Sequence, residues 1–350
     1  MELTQDQLEL QDLLRGFFAE QVTQSLLRGR VEGAEAPADG LAEGLAALGL
    51  REGFCGPDAP YSAAELGILA TESGACLLPE PAWERMLCEG VFPRLLPADE
   101  AKSYLAWIQD GSLGVAPREC SWLKLDSKGK ALSGEVSWCF GGVGAQKVAA
   151  VANVGGAERV ALFDTKGSGV SERTLPSLDL TVSLRGYTLK KAQAHVLSEE
   201  ASALFLDLFE LLKACEAYGV SRRALEIACE YVKTREQFGV PVGGFQAVQQ
   251  KLADAYAASE SLGALARFAA WAVEASPEQR SLTARAAVSH ASVTAATVCE
   301  TAMQCLGGIG FTWEHDLHLY LRRAKAIQIA FPNSEARSRE LIERALSRGA

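Results

Sequence analysis

Apolar residues recur at three- and four-residue spacing through Gln5 to Gln24, Leu41 to Leu48 and Ser62 to Leu77, with Gly- and Pro-containing breaks between them. That period predicts helices over residues 1–105. From 106 to 196 the period shortens. Lys147 to Val154 and Glu158 to Phe163 are Val- and Ala-rich runs bounded by Gly-Gly and Asp-Thr-Lys-Gly turns, with Val182 to Leu189 following, which predicts a small β domain. Long helical patterns return in Ala201 to Thr234, Gln246 to Ala275 and Pro277 to Leu306, broken near glycine segments, and their lengths suit a four-helix bundle. The expected fold is mainly α with a central β barrel or sandwich: an N-terminal helical domain (1–105), a middle β domain (106–196) and a C-terminal helical bundle (197–350).

Composition narrows the classes. The chain has 350 residues, 48% hydrophobic and 22% charged, enough for two or three packed regions of a soluble protein. Its 34 Lys+Arg against 44 Asp+Glu give a net charge of -10, so no broad nucleic-acid footprint is expected, and a phosphate-bearing ligand would need local arginines. No apolar run approaches the ~20 residues of a membrane span, and the N-terminus is polar and amphipathic. No membrane association and a cytoplasmic location are therefore expected. The nine cysteines stand singly, without a C-x-x-C pair, and read as small buried hydrophobes of a reducing compartment. His290 sits in an alanine-rich helical run and reads as structural. His315 and His318 are three apart, but without a third ligand nearby no metal is expected.

The chemistry concentrates in two segments. Gln304 to Arg323 reads QCLGGIGFTWEHDLHLYLRR, with Gly307, Gly308 and Gly310 set between helical patterns. Those glycines permit positive φ and close approach by a ligand or another backbone, although a plain helix-to-helix turn uses the same residues. Upstream, a long helical pattern ends in Arg235-Glu-Gln-Phe238-Gly239, and Phe245-Gln246 opens the next helix. An arginine at a helix end beside a glycine loop suits a phosphate, and it is also an ordinary helix end. Leu317, Leu319, Tyr320 and Leu321, with Arg322, Arg323 and Lys325 behind them, read either as a subunit contact or as a buried apolar face with a solvated basic end.

Taken together the two segments resemble the acyl-CoA dehydrogenase family, in which R-x-x-F-G, the following F/H-Q and Q-x-x-G-G-x-G-F/Y hold FAD across a subunit interface. The family's order of domains is also helices, β domain, helical bundle. The resemblance implies that Arg235, Gln237 and Phe238 touch the FAD pyrophosphate and neighbouring parts of the cofactor, that Gln246 is a further contact, and that Gln304 and Gly308, with Gly307 beside them, meet the adenosine half of the partner subunit's FAD. Gly134-Glu-Val-Ser-Trp138 resembles the family's N-G-x-K-x-W, which makes Trp138 a candidate flavin neighbour; a tryptophan capping the β core is the alternative. It further implies an acyl-CoA substrate, electron-transfer flavoprotein as acceptor, and a homo- or hetero-oligomer, dimer or tetramer.

Departures from the family pattern bear on catalysis. In place of the T-E-P-x-x-G-S-D stretch the chain has Gly114-Val-Ala-Pro-Arg118-Glu119-Cys120, and the position two after the tryptophan is Phe140. The family's glutamate base removes a proton α to the thioester while the β hydrogen leaves as hydride to FAD. Where that glutamate follows the last helix, an ungapped comparison puts Phe331; where it lies on an earlier helix, counting back from Arg235 reaches Phe209, with Glu210 next. One helical residue is about 100° of rotation, so Glu210 would need a shifted helix to serve. The chain is then either a dehydrogenase whose base is Glu210, or else Glu335 turned back by Pro332, or the base-less partner in a heteromer, as in bacterial steroid catabolism. Flavin monooxygenases on the same fold are a third class.

Overall fold

The computed structural model describes residues 2–33, 41–55, 58–79, 82–108, 113–126, 129–141, 145–332 and 335–346. Thr4 starts the first helix with a reciprocal cap: its side-chain oxygen accepts from the Gln7 N–H, and the Gln7 carboxamide oxygen accepts from the Thr4 N–H. Helices α1 (Gln5–Gln21), α2 (Gln24–Val31), α3 (Leu41–Ala47), α4 (Leu50–Phe54), α5 (Ala63–Ala75) and α6 (Ala82–Met86) follow. A π-helical turn, Leu87–Val91, joins α6 to α7 (Phe92–Arg94), and α8 (Ala98–Ile108) completes this part. The strands are β1 (Leu113–Val115), β2 (Ser121–Leu125), β3 (Ala131–Cys139), β4 (Lys147–Val154), β5 (Ala157–Asp164), β6 (Val170–Leu175) and β7 (Leu184–Val196). Then come α9 (Glu199–Thr234), the two-residue strands β8 (Glu236–Gln237) and β9 (Val240–Pro241), α10 (Gln246–Ala275), α11 (Pro277–Leu306), α12 (Leu317–Ala330) and α13 (Glu335–Leu346).

Internal contacts group the chain into two units, one of Met1–Val31, Ala63–Leu78 and Glu210–Ala350, the other of Glu32–Ser62 and Pro79–Phe209. Helix α9 contributes its residues up to Phe209 to the second unit and those from Glu210 to the first.

In the first unit, α10 packs against α11, and both helices bury runs of small residues, Ala266, Ala269 and Ala270 on one and Ala284, Ala287, Ala291 and Ala295 on the other. Helices α5 and α9 come closer still. A Cβ on Gly219 of α9 would lie 1.8 Å from the Thr71 carbonyl oxygen, and one on Gly74 of α5 would lie 2.1 Å from the Glu216 carbonyl oxygen. Only glycine fits at either position. On the two sides of this crossing lie buried carboxylates with cationic partners. Glu72 on α5 accepts from Arg222 Nη2 at 2.8 and 2.9 Å and from Gln11 Nε2 at 2.8 Å. Glu216 on α9 accepts from Lys213 Nζ at 2.8 Å and from Arg323 Nη1 at 2.7 Å. Burial opposes ionisation of Glu216, but Lys213 and Arg323 outweigh it and hold its carboxyl below the ordinary range.

In the second unit the strands close into a ring. β2 pairs with β3, β3 with β7, β7 with β5, β5 with β4, and β4 back with β2. β1 extends the sheet on β4 and β6 on β7. Alternate residues of each strand fill the interior, among them Leu123, Leu132, Val136, Val148, Ala150, Phe163 and Tyr187. A register shift between Val136 and Cys139 interrupts the β3–β7 ladder just where Trp138 stands.

The fold is the mainly helical one with a central β region that the periodicity predicts, and β4, α10 and α11 have the predicted bounds. Among the described residues, no helix is long and apolar enough to cross a membrane. Gly219→Ala should destabilise the protein by about 3 kcal/mol or more, because the added methyl drives two helix backbones apart; urea unfolding followed by circular dichroism measures it, and a loss below about 1 kcal/mol would show that α5 and α9 can separate at little cost.

Candidate functional site

Helix α9 runs out at Arg235, whose N–H still donates to the Tyr231 carbonyl at 2.9 Å. Beyond it Glu236 pairs with Pro241 and Gln237 with Val240, so Phe238 and Gly239 form a two-residue hairpin turn. Both have positive φ, 55° and 80°, as a type I′ turn requires. Glycine takes that conformation freely; a phenylalanine there is an outlier, and outliers of this kind mark functional sites more often than framework. Phe238 is also 93% exposed, with its ring edge-on to Phe245 at 6.2 Å. The Arg235 side chain is exposed and has no hydrogen-bond or ion-pair partner among the described residues. Gln237 Nε2 donates to the Glu236 carbonyl at 2.9 Å, and exposed Gln246 opens α10 without a side-chain cap. An uncapped helix start beside a guanidinium favours an anion.

The second segment caps α11. Gly307, with φ of 67°, donates its N–H to the Gln304 and Met303 carbonyls and begins a 3-10 turn, Gly307–Phe311. The other two glycines have ordinary φ. A Cβ on Gly310 would press on Leu306 at 3.2 Å, whereas one on Gly308 would meet nothing within 4 Å. Gly308 thus has no cause within its own surroundings, and its missing side chain makes room only for something outside them. Gln304 and Gly308 are exposed, and Phe311 and Trp313 present large apolar surface beside them.

Leu317, Leu319 and Tyr320 are buried in the chain's own packing, so the buried-face reading holds for them, and exposed apolar side chains of this region include Ile309, Phe311 and Trp313. His315 precedes α12 and accepts from the Leu317 N–H through Nδ1, while His318 lies within the helix against Trp313. Burial, then Arg322, push the His318 imidazole down. No group of three metal-binding side chains occurs among the described residues.

In the β unit Trp138 is half-buried and edge-on to Phe140 at 5.0 Å. Phe140 packs on Phe209 at 6.3 Å and Phe209 on Trp83 at 5.9 Å, a continuous aromatic column. Val115 and Phe140 exchange backbone hydrogen bonds at 3.0 and 3.1 Å, so the stretch compared with the family's polar one begins as a buried apolar segment, Gly114 to Pro117, before the 3-10 turn Arg118–Cys120. Phe209 and Phe331, the two positions compared with the family's base, are each 1% exposed. Glu210 is 6% exposed. The Glu335 side chain lies outside the described residues. Sequence reasoning passed over the buried Glu72 and Glu216 clusters; the signal was there, since Lys213 and Glu216 interrupt the apolar run LLKACEAYGV on a helix with no polar stripe.

Against solved structures, the chain superposes on a variant of the Tcur3481-Tcur3483 steroid ACAD with a TM-score of 0.87, 25% identity and coverage of 98% of both chains. It superposes on the ChsE4-ChsE5 complex from Mycobacterium tuberculosis with a TM-score of 0.85, 23% identity and coverage of 99% and 98%. This is the acyl-CoA dehydrogenase fold. Residues 205–347 match the family described as acyl-CoA dehydrogenase, C-terminal domain. Acyl-CoA dehydrogenase FadE34 of Mycobacterium tuberculosis (strain ATCC 25618 / H37Rv) is 40% identical over 167 residues, which are 47% of this chain and 23% of that protein. The chain thus has the acyl-CoA dehydrogenase fold, and its residues 205–347 match that family's C-terminal domain, while it spans less than half the length of the FadE34 relative.

Because Phe238 contributes little burial and sits in a strained conformation, Phe238→Gly should leave stability within about 1 kcal/mol of the parent. The same change should weaken flavin retention about tenfold or more, the equivalent of 1.4 kcal/mol. Thermal melts beside flavin-to-protein ratios after gel filtration check both; full retention would remove the hairpin tip from the site.

Proposed function

We propose that this chain is a FAD-sharing subunit of a heteromeric acyl-CoA dehydrogenase that leaves proton abstraction to its partner. The observation that carries the reading is the pair Phe209 and Phe331: both positions compared with the family's base hold a buried phenylalanine, which can neither take a proton nor reach solvent.

The donor set suits FAD. Arg235 would hold the pyrophosphate, which needs a permanent cation. Gln237, Phe238 and Gln246 would hold the neighbouring parts, and Trp138 would lie against the ring system. Gln304, Gly307 and Gly308 would face the adenosine half of a cofactor bound mainly by the partner, where bare backbone admits close approach. When bound, FAD supplies the acceptor for the hydride that leaves the acyl β carbon. This chain's contribution is to bind and orient. Electrons then leave through electron-transfer flavoprotein. Of the acyl-CoAs to try, steroid thioesters come first, since the Tcur3481-Tcur3483 neighbour is named a steroid ACAD.

A second reading rests on Glu210, a buried carboxyl one residue past Phe209. In that case the chain abstracts the proton itself.

The chain purified alone, and co-purified with the product of the neighbouring gene, should be mixed anaerobically with a panel of acyl-CoAs while flavin absorbance is recorded. The proposal expects flavin retention and bleaching in the mixture alone, with Glu210→Gln without effect. Bleaching by the lone chain that is lost in Glu210→Gln would establish the second reading instead.

A further inference from the structure

Helix α12 follows the glycine turn after only five residues, and a run of short hydrogen bonds joins them. Thr312 Oγ1 and N–H both donate to the Ile309 carbonyl, at 2.8 and 3.1 Å, the His315 N–H donates to the Thr312 carbonyl, and the Leu317 N–H donates to His315 Nδ1 at 3.1 Å. The connection therefore has little freedom to absorb a shift of the helix. From the other side α2 holds it, through Gln24 Nε2 donating to Asp316 Oδ2 at 2.7 Å and the Arg28–Asp316 pair at 3.5 Å.

What fixes α12 itself is unusual for a core contact. Arg323 Nη1 donates to Glu216 Oε1 at 2.7 Å and Arg323 Nη2 to the Leu78 carbonyl at 3.2 Å, while Tyr320 Oη donates to the Ala75 carbonyl at 2.9 Å. Glu216 Oε2 is taken by Lys213 at 2.8 Å. Arg323, Glu216 and Lys213 are all buried. The Ala75 carbonyl is the last of α5, at the negative end of its dipole, and Leu78, whose N–H donates back to the Ser73 carbonyl, closes that end, so two donors of α12 meet one helix end and one carboxylate at defined points. A buried ion pair adds little net stability over apolar packing of the same shape, since desolvation offsets most of the attraction. It does penalise any one-residue slip of α12, because a slip leaves a charge unpaired.

We infer that Glu216, Lys213 and Arg323, with Tyr320, are a buried latch whose role is to set the register of α12 and thereby to position the turn Gly307–Phe311 for its ligand. These are positioning residues, with hydrogen bonds to α9 and to the end of α5. The inference rests on the proposed cofactor role of that turn for its ligand, but not for its mechanics.

Arg323→Lys and Tyr320→Phe test it, with Arg222→Lys in the Glu72 cluster as a control for general loosening of the same unit. FAD titration by fluorescence quenching, on each variant co-purified with the neighbouring gene's product, and hydrogen exchange of the amides in 307–316 are read together, at temperatures equally far below each variant's melting point. The latch variants should raise the FAD dissociation constant about tenfold and speed exchange in 307–316, with the control unchanged in both. Latch variants matching wild type in exchange, or a control that loosens the turn as much, would overturn the inference. If the wild-type chain co-purified with the neighbouring gene's product takes up no FAD, the cofactor reading fails, and the exchange comparison still decides the latch.

Discussion

The contact between α5 and α9 at Gly74 and Gly219 is the constraint on which the helical unit depends. Backbones this close leave no room for a Cβ, so side chains on both helices project to the flanks of the crossing. There the polar ones are shielded from water and must find partners. Glu72 finds Arg222 and Gln11 on one flank; Glu216 finds Lys213 and Arg323 on the other. Through Gln11 the first cluster ties down α1, and through Arg323 the second ties down α12. A single close crossing thus fixes two further helices.

The surfaces that carry the functional reading have the opposite character. Phe238 is strained and bare, Arg235 has no partner among the described residues, and Gly308 opens onto empty space. None of these improves the stability of the folded chain, and Phe238 detracts from it. Features that cost stability and have no local cause are explained by what binds there. By contrast the places where a base would stand are filled with aromatic packing that does stabilise. On the proposed reading the chain holds and orients where it is open, and packs at the two positions compared with the family's base.

Much of this was legible in the sequence because it is local. The bounds of β4, α10 and α11 follow from unbroken periodicity ending at Gly or Pro, and the R-x-x-F-G hairpin and the glycine turn announce themselves by residue type. Ring closure of the sheet was not legible, since pairing β4 with β2 and β5 with β7 joins segments that share no local signal. Nor was the π-helical turn between α6 and α7, in a stretch where Gly and Pro break every pattern. Leu317, Leu319 and Tyr320 could be read as interface or core because an apolar helical stripe looks the same in both settings; only their burial against the chain's own helices decides. Buried charges such as Glu216 and Arg323 pass for a solvated face until the elements around them are placed.

Abstraction of the α proton is the step this chain is held to lack, and it can be observed without any flavin chemistry. Incubating an acyl-CoA that the assembled enzyme accepts with the lone chain in deuterium oxide, and following the α position by NMR or mass spectrometry, tests the claim directly. The account predicts no exchange above the uncatalysed rate with the lone chain and ready exchange once the partner is added. Exchange catalysed by the lone chain would contradict it and would place a working base among this chain's own residues.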